Sequence, residues 1–181
     1  MIAATATSAF ISGRRDKRQH GQRSKVFKRA HVNIEPGKDK GMEITPEQMR
    51  LIRQKFETNH FPRSLGIELD LIEHGRARLS LEVEQRHLQL AGIMHGGAIA
   101  TLVDTAVAFA IVGASRPGAR FTTIEMKVNY LRPIQAGRVV AEARLIRDGR
   151  RIVVSDCDVF DSKGELAAKG LLTYMRLDEG G

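Results

Sequence analysis

The chain has 181 residues, enough for one domain with extra segments and short of two average ones. Its 42% apolar content supports a packed core, while the longest unbroken apolar run, 106–114, falls well below the ~20 residues of a bilayer span. One cysteine, Cys157, excludes an internal disulfide and any zinc site with several cysteine ligands, and it fits a reducing, cytoplasmic setting.

The net charge of +8 is unevenly placed. Residues 1–41 hold ten Lys and Arg against three acids, whereas the other 140 residues hold 19 basic and 18 acidic groups. A basic run sticks to polyanions without reading them, so no specific nucleic-acid partner follows. Residues 1–41 lack apolar periodicity and read as a disordered tail. Two other readings stay open. Residues 1–24 are rich in Ala, Ser, Thr and Arg with one acid, as in a mitochondrial presequence, or the natural start is Met42. The domain is assigned to residues 42–181.

Thr45-Pro46-Glu47-Gln48 predicts a capped helix start, and Met49, Ile52 and Phe56 continue at helical spacing until Asn59-His60-Phe61-Pro62. Ile67, Leu69 and Leu71 alternate with polar residues, and so do Leu79, Leu81 and Val83. Both stretches read as half-buried strands. Residues 97–113 are apolar almost all round, which predicts a helix buried on most sides. Ile124, Met126, Val128 and Tyr130 then alternate, followed by Val139, Ala141, Ala143 and Leu145. Asp148-Gly149 predicts a two-residue hairpin turn, and 153–160 and 166–175 supply two more strands. Short turns between late strands require antiparallel pairing. The expected fold is α+β, one antiparallel sheet wrapped around one long buried helix.

Within that helix only Thr101, Asp104 and Thr105 carry polar side chains. An aspartate in such surroundings is costly unless paired or used; a structural ion pair and a catalytic role are both open. Gly92-Ile93-Met94-His95-Gly96-Gly97 brings flexible backbone to the helix start. Free N–H groups there suit an oxyanion or a polarised carbonyl, although a glycine turn without a ligand reads the same way. His95 is read as a brace for the turn rather than a base. Gly96 and Asp104 lie eight residues apart, about 12 Å along a helix. One copy of the helix cannot bring both to one substrate. Two antiparallel helices can, which predicts a homodimer, or a tetramer of paired dimers, with shared sites.

The run from Gly92 to Ala106 resembles the signature of hotdog-fold thioesterases of the phenylacetate-degradation (PaaI-like) group, and Thr122 to Pro133 resembles the strand that follows it there. The similarity extends from about Met49 to Met175. It implies a hotdog fold and hydrolysis of acyl-coenzyme A to free acid and CoA, without metal or cofactor. It also implies roles. Asp104 matches the catalytic carboxylate, as general base or nucleophile, and Gly96 the amide that polarises the thioester carbonyl. Gln89 falls where relatives hold the attacking water, and Thr123 where a Ser or Thr approaches the acid. Taken by themselves, Gln89 is a loop amide and Thr123 an ordinary strand residue. His95, Gly97, Asn129 and Arg132 are assigned to substrate binding, and Arg132, Arg150, Arg151 and Lys169 are the candidate cations for CoA phosphates. Two alternatives remain, an acyl-thioester hydratase or dehydratase on the same fold, and an acyl-CoA-binding module without catalysis. No Gly-x-Ser-x-Gly elbow is present, which argues against a serine hydrolase.

Overall fold

The computed structural model describes residues 43–177, so the tail and targeting readings of residues 1–41 lie outside the described residues. Helix α1 (Pro46–Glu57) begins with the expected capping box. The Gln48 amide donates to Thr45 Oγ1 at 3.2 Å, and the Thr45 amide donates to Gln48 Oε1 at 2.9 Å. Ile52 and Phe56 bury its apolar stripe. A short helix α2 (His60–Ser64) follows, where the sequence reading had only an ending. Pro62 sits in its first turn, where a missing N–H costs no helical bond.

The strands are β1 (Glu68–Glu73), β2 (Arg76–Glu82), β3 (Arg120–Tyr130), β4 (Arg138–Asp148), β5 (Ile152–Phe160) and β6 (Leu166–Leu177). They form one sheet in the order β1-β2-β4-β5-β6-β3, antiparallel at every pairing. Helix α3 (Gly96–Gly113) packs on one face of it, the hotdog arrangement that the resemblance implies. Leu102, Val103, Ala106, Val107, Ala110 and Ile111 are all 0% exposed. Close approach is built in. A Cβ on Gly170 of β6 would lie 2.7 Å from Val103 Cγ1. By length and composition alone α3 is long and apolar enough to cross a membrane, although Thr101, Asp104 and Thr105 interrupt its apolar run. Here its apolar side chains fill the core of the domain.

Three local expectations are corrected. A bulge between Leu69 and Leu71 breaks the alternation of β1, so Leu71 is exposed and Ile72 is buried. An inserted residue reverses the faces of everything beyond it. Of the apolar side chains expected to alternate into the core from β3, only Val128 packs against it. Ile124, Met126 and Tyr130 are 51%, 41% and 53% exposed, because β3 is a sheet edge paired only with β6. The β4–β5 turn also lies further along than Asp148-Gly149. Asp148 pairs with Val153 and the Gly149 amide donates to the Ile152 carbonyl, which leaves Arg150 and Arg151 at the tip. Burying Val153, Ser155 and Cys157 on the inner face sets this register, and that outweighs a local turn preference.

The outer face of the sheet is polar and ion-paired. Arg144 holds Asp156 through two bonds of 2.7 Å, and Lys169 donates to Asp158 at 2.6 Å and to Asp156 at 3.3 Å. Burial raises the pKa of the Asp156 carboxyl, but the Arg144 and Lys169 contacts outweigh it and hold the group below the usual carboxylate range.

Candidate active site

The site is assembled on the stripe of α3 that the sheet leaves uncovered. Thr101 and Thr105 turn their hydroxyls back onto the helix, donating to the Gly97 and Thr101 carbonyls at 2.9 and 2.7 Å. That leaves Asp104 as the polar group of the stripe with a side chain free to serve something else.

Two neutral hydroxyls reach Asp104 from the sheet. Thr123 Oγ1 on β3 donates to Oδ1 at 2.9 Å, and the Tyr174 phenol on β6 donates to the same Oδ1 at 2.6 Å. The phenol also lies 3.0 Å from the Asp104 carbonyl. Thr123 and Tyr174 are register partners across β3 and β6, so one pairing delivers both donors. Burial, and then the negative charge of Asp104, push the Tyr174 pKa well above the usual phenol range, so the phenol stays protonated and donating. Among the described residues no cation pairs with Asp104, and Oδ2 carries no hydrogen bond. The carboxylate is therefore held in one orientation with one oxygen available. It borders an open cavity of about 290 Å³ lined also by Phe61, Thr101, Thr105, Phe109 and Met126.

Tyr174 is the residue that sequence reading missed. Its only local signal was a tyrosine in an apolar strand, and the partner it needs lies 70 residues away on another element. His87 was missed as well. It is 1% exposed; its Nδ1 accepts from the Glu84 amide and its Nε2 meets the Leu65 carbonyl, both at 2.9 Å. That pattern fits a neutral ring protonated on Nε2. The His87 carbonyl then accepts the His95 amide at 2.7 Å, tying the entry to α3 against α2.

The glycine turn is built as a capped helix start. His95 is the N-cap, and its Nδ1 accepts the Gly97 amide at 2.9 Å. The Gly97 N–H is thereby occupied. Gly96 is the first residue of the helix, where an N–H has no acceptor within the helix, and its N–H donates to no described residue. The Tyr130 phenol donates to the Gly96 carbonyl at 3.0 Å and its ring closes over the glycine; a Cβ there would meet Cζ at 3.2 Å.

The other proposed positions are more scattered. Gln89 is exposed on the loop before α3, held only through its backbone to Ile93 and Gly92. Asn129 is exposed on edge strand β3. Arg132 is exposed and paired with Glu165 at 3.2 Å, and Lys169 belongs to the outer-face network. Arg150 and Arg151 form the tip of the β4–β5 turn. Asp104 and Thr123 are brought together, whereas Gly96 stays eight residues from Asp104 on the same helix.

Comparison with known proteins adds four findings. Residues 91–168 match the thioesterase superfamily. The chain is 29% identical over 150 residues to the medium/long-chain acyl-CoA thioesterase YigI of Escherichia coli, covering 73% of this chain and 96% of that one. It is 28% identical over 130 residues to human acyl-coenzyme A thioesterase 13, covering 70% and 92%. Among solved structures, a variant of the phenylacetic acid degradation protein PaaI of Thermus thermophilus aligns with a TM-score of 0.59 at 33% identity, covering 65% of this chain and 98% of that one.

Proposed function

This chain belongs to the thioesterase superfamily, in its PaaI-like hotdog branch, and from that premise we propose that it hydrolyses acyl-coenzyme A at a site shared between two protomers. It is a thioester hydrolase. The observation that carries the mechanism is the Asp104 carboxylate, with Oδ1 anchored by two neutral hydroxyls and Oδ2 available. A cation at that oxygen would lower its basicity, whereas hydroxyls orient it with less cost.

The Gly96 amide of one protomer polarises the thioester carbonyl, and Asp104 of the other supplies the base. Asp104 Oδ2 takes a proton from water as the oxygen attacks the carbonyl carbon. The tetrahedral oxyanion rests on the Gly96 N–H. Collapse breaks the C–S bond, and the departing thiolate recovers the proton. The nucleophilic variant of the same geometry has Oδ2 attack the carbonyl, break the C–S bond and expel the CoA thiolate to form an anhydride, which water then cleaves. Label on Asp104 after one turnover in ¹⁸O-water would establish the anhydride route, with water attacking the Asp104 carbonyl of the anhydride. Gln89, on the loop that leads to Gly96, would hold the water.

The dimer is supported by the open edge of β3, where Ile124, Met126 and Tyr130, with Leu131 just beyond the strand, present an apolar surface on a strand paired on one side to β6. Such an edge invites pairing with a second copy. Complementation tests the shared site. Gly96→Pro removes the amide at a helix position that accepts proline, and His95 before it is already extended (ψ 134°). Gly96→Ala keeps the amide and controls for the added carbon beside Tyr130. Gly96→Pro and Asp104→Asn are each expected to be inactive. Co-expressed, they should recover about a quarter of wild-type thiol release, because each mixed dimer regains one of two sites. Mixed dimers without activity would refute the shared site.

A further inference from the structure

Helix α3 starts on two consecutive glycines, the residues with the least backbone preference, yet its first turn is held at nearly every polar atom. The Met94 amide donates to the Ile134 carbonyl and the His95 amide to the His87 carbonyl, both at 2.7 Å. The His95 carbonyl accepts from the Ala98 and Ile99 amides at 2.9 and 3.3 Å. The Gly96–Gly97 peptide is clasped at both ends. Its N–H donates to His95 Nδ1 at 2.9 Å, and its C=O accepts from the Tyr130 phenol at 3.0 Å. From Met94 to Ile99, the Gly96 N–H is the one amide that donates to no described residue.

The tether at Gly96 comes from the strand that also serves the acid. Thr123 of β3 donates to Asp104 at the middle of α3, and Tyr130 at the far end of β3 grips the helix start. The Tyr130 ring takes the space that a side chain at position 96 would need, since a Cβ there would lie 3.2 Å from Cζ and 3.3 Å from Oη. Burial alone does not seat a ring that is 53% exposed. A donor serves an oxyanion only when it is aimed beforehand, because turning it during the reaction forfeits part of its benefit. We infer that Tyr130 is a positioning residue for the thioester reaction: its hydroxyl locks the Gly96–Gly97 peptide, so that the Gly96 N–H keeps the direction in which it polarises the carbonyl. The phenol acts through Gly96, since its proton is already given to the Gly96 carbonyl. The strand whose free edge receives the second copy thus also aims the donor of the shared site. The inference rests on the acyl-CoA reading above.

Tyr130→Phe removes one oxygen and keeps the ring. In the intact protein it should lower kcat for acyl-CoA about fivefold with KM within about twofold, at an unchanged sedimentation profile. Gly96→Ala pushes the phenol aside with its added carbon, so Gly96→Ala/Tyr130→Phe should lose little more than Gly96→Ala alone, whereas independent positions would multiply their losses. A spectroscopic readout uses acyl-CoA labelled with ¹³C at the thioester carbonyl, bound to Asp104→Asn to block turnover. Its infrared carbonyl stretch should fall below that of free acyl-CoA, and adding Tyr130→Phe should return it most of the way with the calorimetric Kd within about twofold. With an active wild type, an unchanged kcat in Tyr130→Phe overturns the assignment, as does an unmoved band or a multiplied loss in the double variant. A rise in KM at constant kcat also overturns it, because the phenol would then touch substrate, and so does a loss of kcat that follows dissociation of the oligomer. A band that depends on Tyr130, in a protein whose wild type releases no thiol, would uphold the positioning and sink the thioesterase reading instead.

Discussion

Asp104 and Asp156 are both partly or largely buried carboxylates held by several donors, yet they are held in opposite ways. Asp156, on the outer face of the sheet, is clasped on both oxygens by Arg144 and Lys169. Among the described residues Asp104, on the inner helix, meets only hydroxyls, and these converge on one oxygen. Cationic donors stabilise a carboxylate and spend its basicity, whereas neutral donors orient it and leave a lone pair for chemistry. A buried acid is thus not informative by itself; the charge of its donors separates an ion-paired strut from a carboxylate with an oxygen left available.

The largest expected effect tests this contrast directly. Asp104→Asn should lower kcat for acyl-CoA at least about a hundredfold, the low end of what a positioned base contributes, with an unchanged melting curve. Near-normal thiol release would remove Asp104 from the chemistry. Asp156→Asn is the counterpart and should leave kcat within about twofold.

Tyr174→Phe comes next. It deletes one bond to a charged oxygen, so kcat should fall about tenfold with KM nearly constant. If KM rises and kcat holds, Tyr174 shapes the pocket rather than positioning the carboxylate. Thr123→Ser should keep most activity, since the hydroxyl is retained.

The smallest effect concerns stability. Arg144 and Lys169 are half exposed and can return to water, so Asp156→Asn should cost only about 1 kcal/mol, or about 3 °C in Tm. Its pH dependence has a definite sign. The folded pKa of Asp156 lies below the unfolded value, so its contribution is complete above about pH 4 and fades as pH falls through the folded value. The gap between wild type and Asp156→Asn should therefore be constant at neutral pH and close in acid. A gap that widens in acid would contradict the ion-paired description.

Much of the fold was legible because its signals are local. The capping box at Thr45, the all-round apolar stretch of α3 and the alternation of Val139 to Leu145 each reflect a period that neighbouring residues set. Asp104 stood out for the same reason, as an acid among apolar neighbours. The positions of the bulges, the exposure of β3 and the shifted β4–β5 turn were not legible, because register depends on which strand lies alongside and which face it must bury.

By itself, then, the sequence determined one sheet, one buried helix, an acid in its middle and an amide-rich start eight residues before it. Tertiary structure alone decided what kind of acid Asp104 is. It carried Tyr174 across 70 residues to within 2.6 Å, seated Thr123 beside it, and sent Arg144 and Lys169 to the opposite face. Strand pairing makes those choices, since antiparallel register joins residues whose separation along the chain carries no trace of the contact.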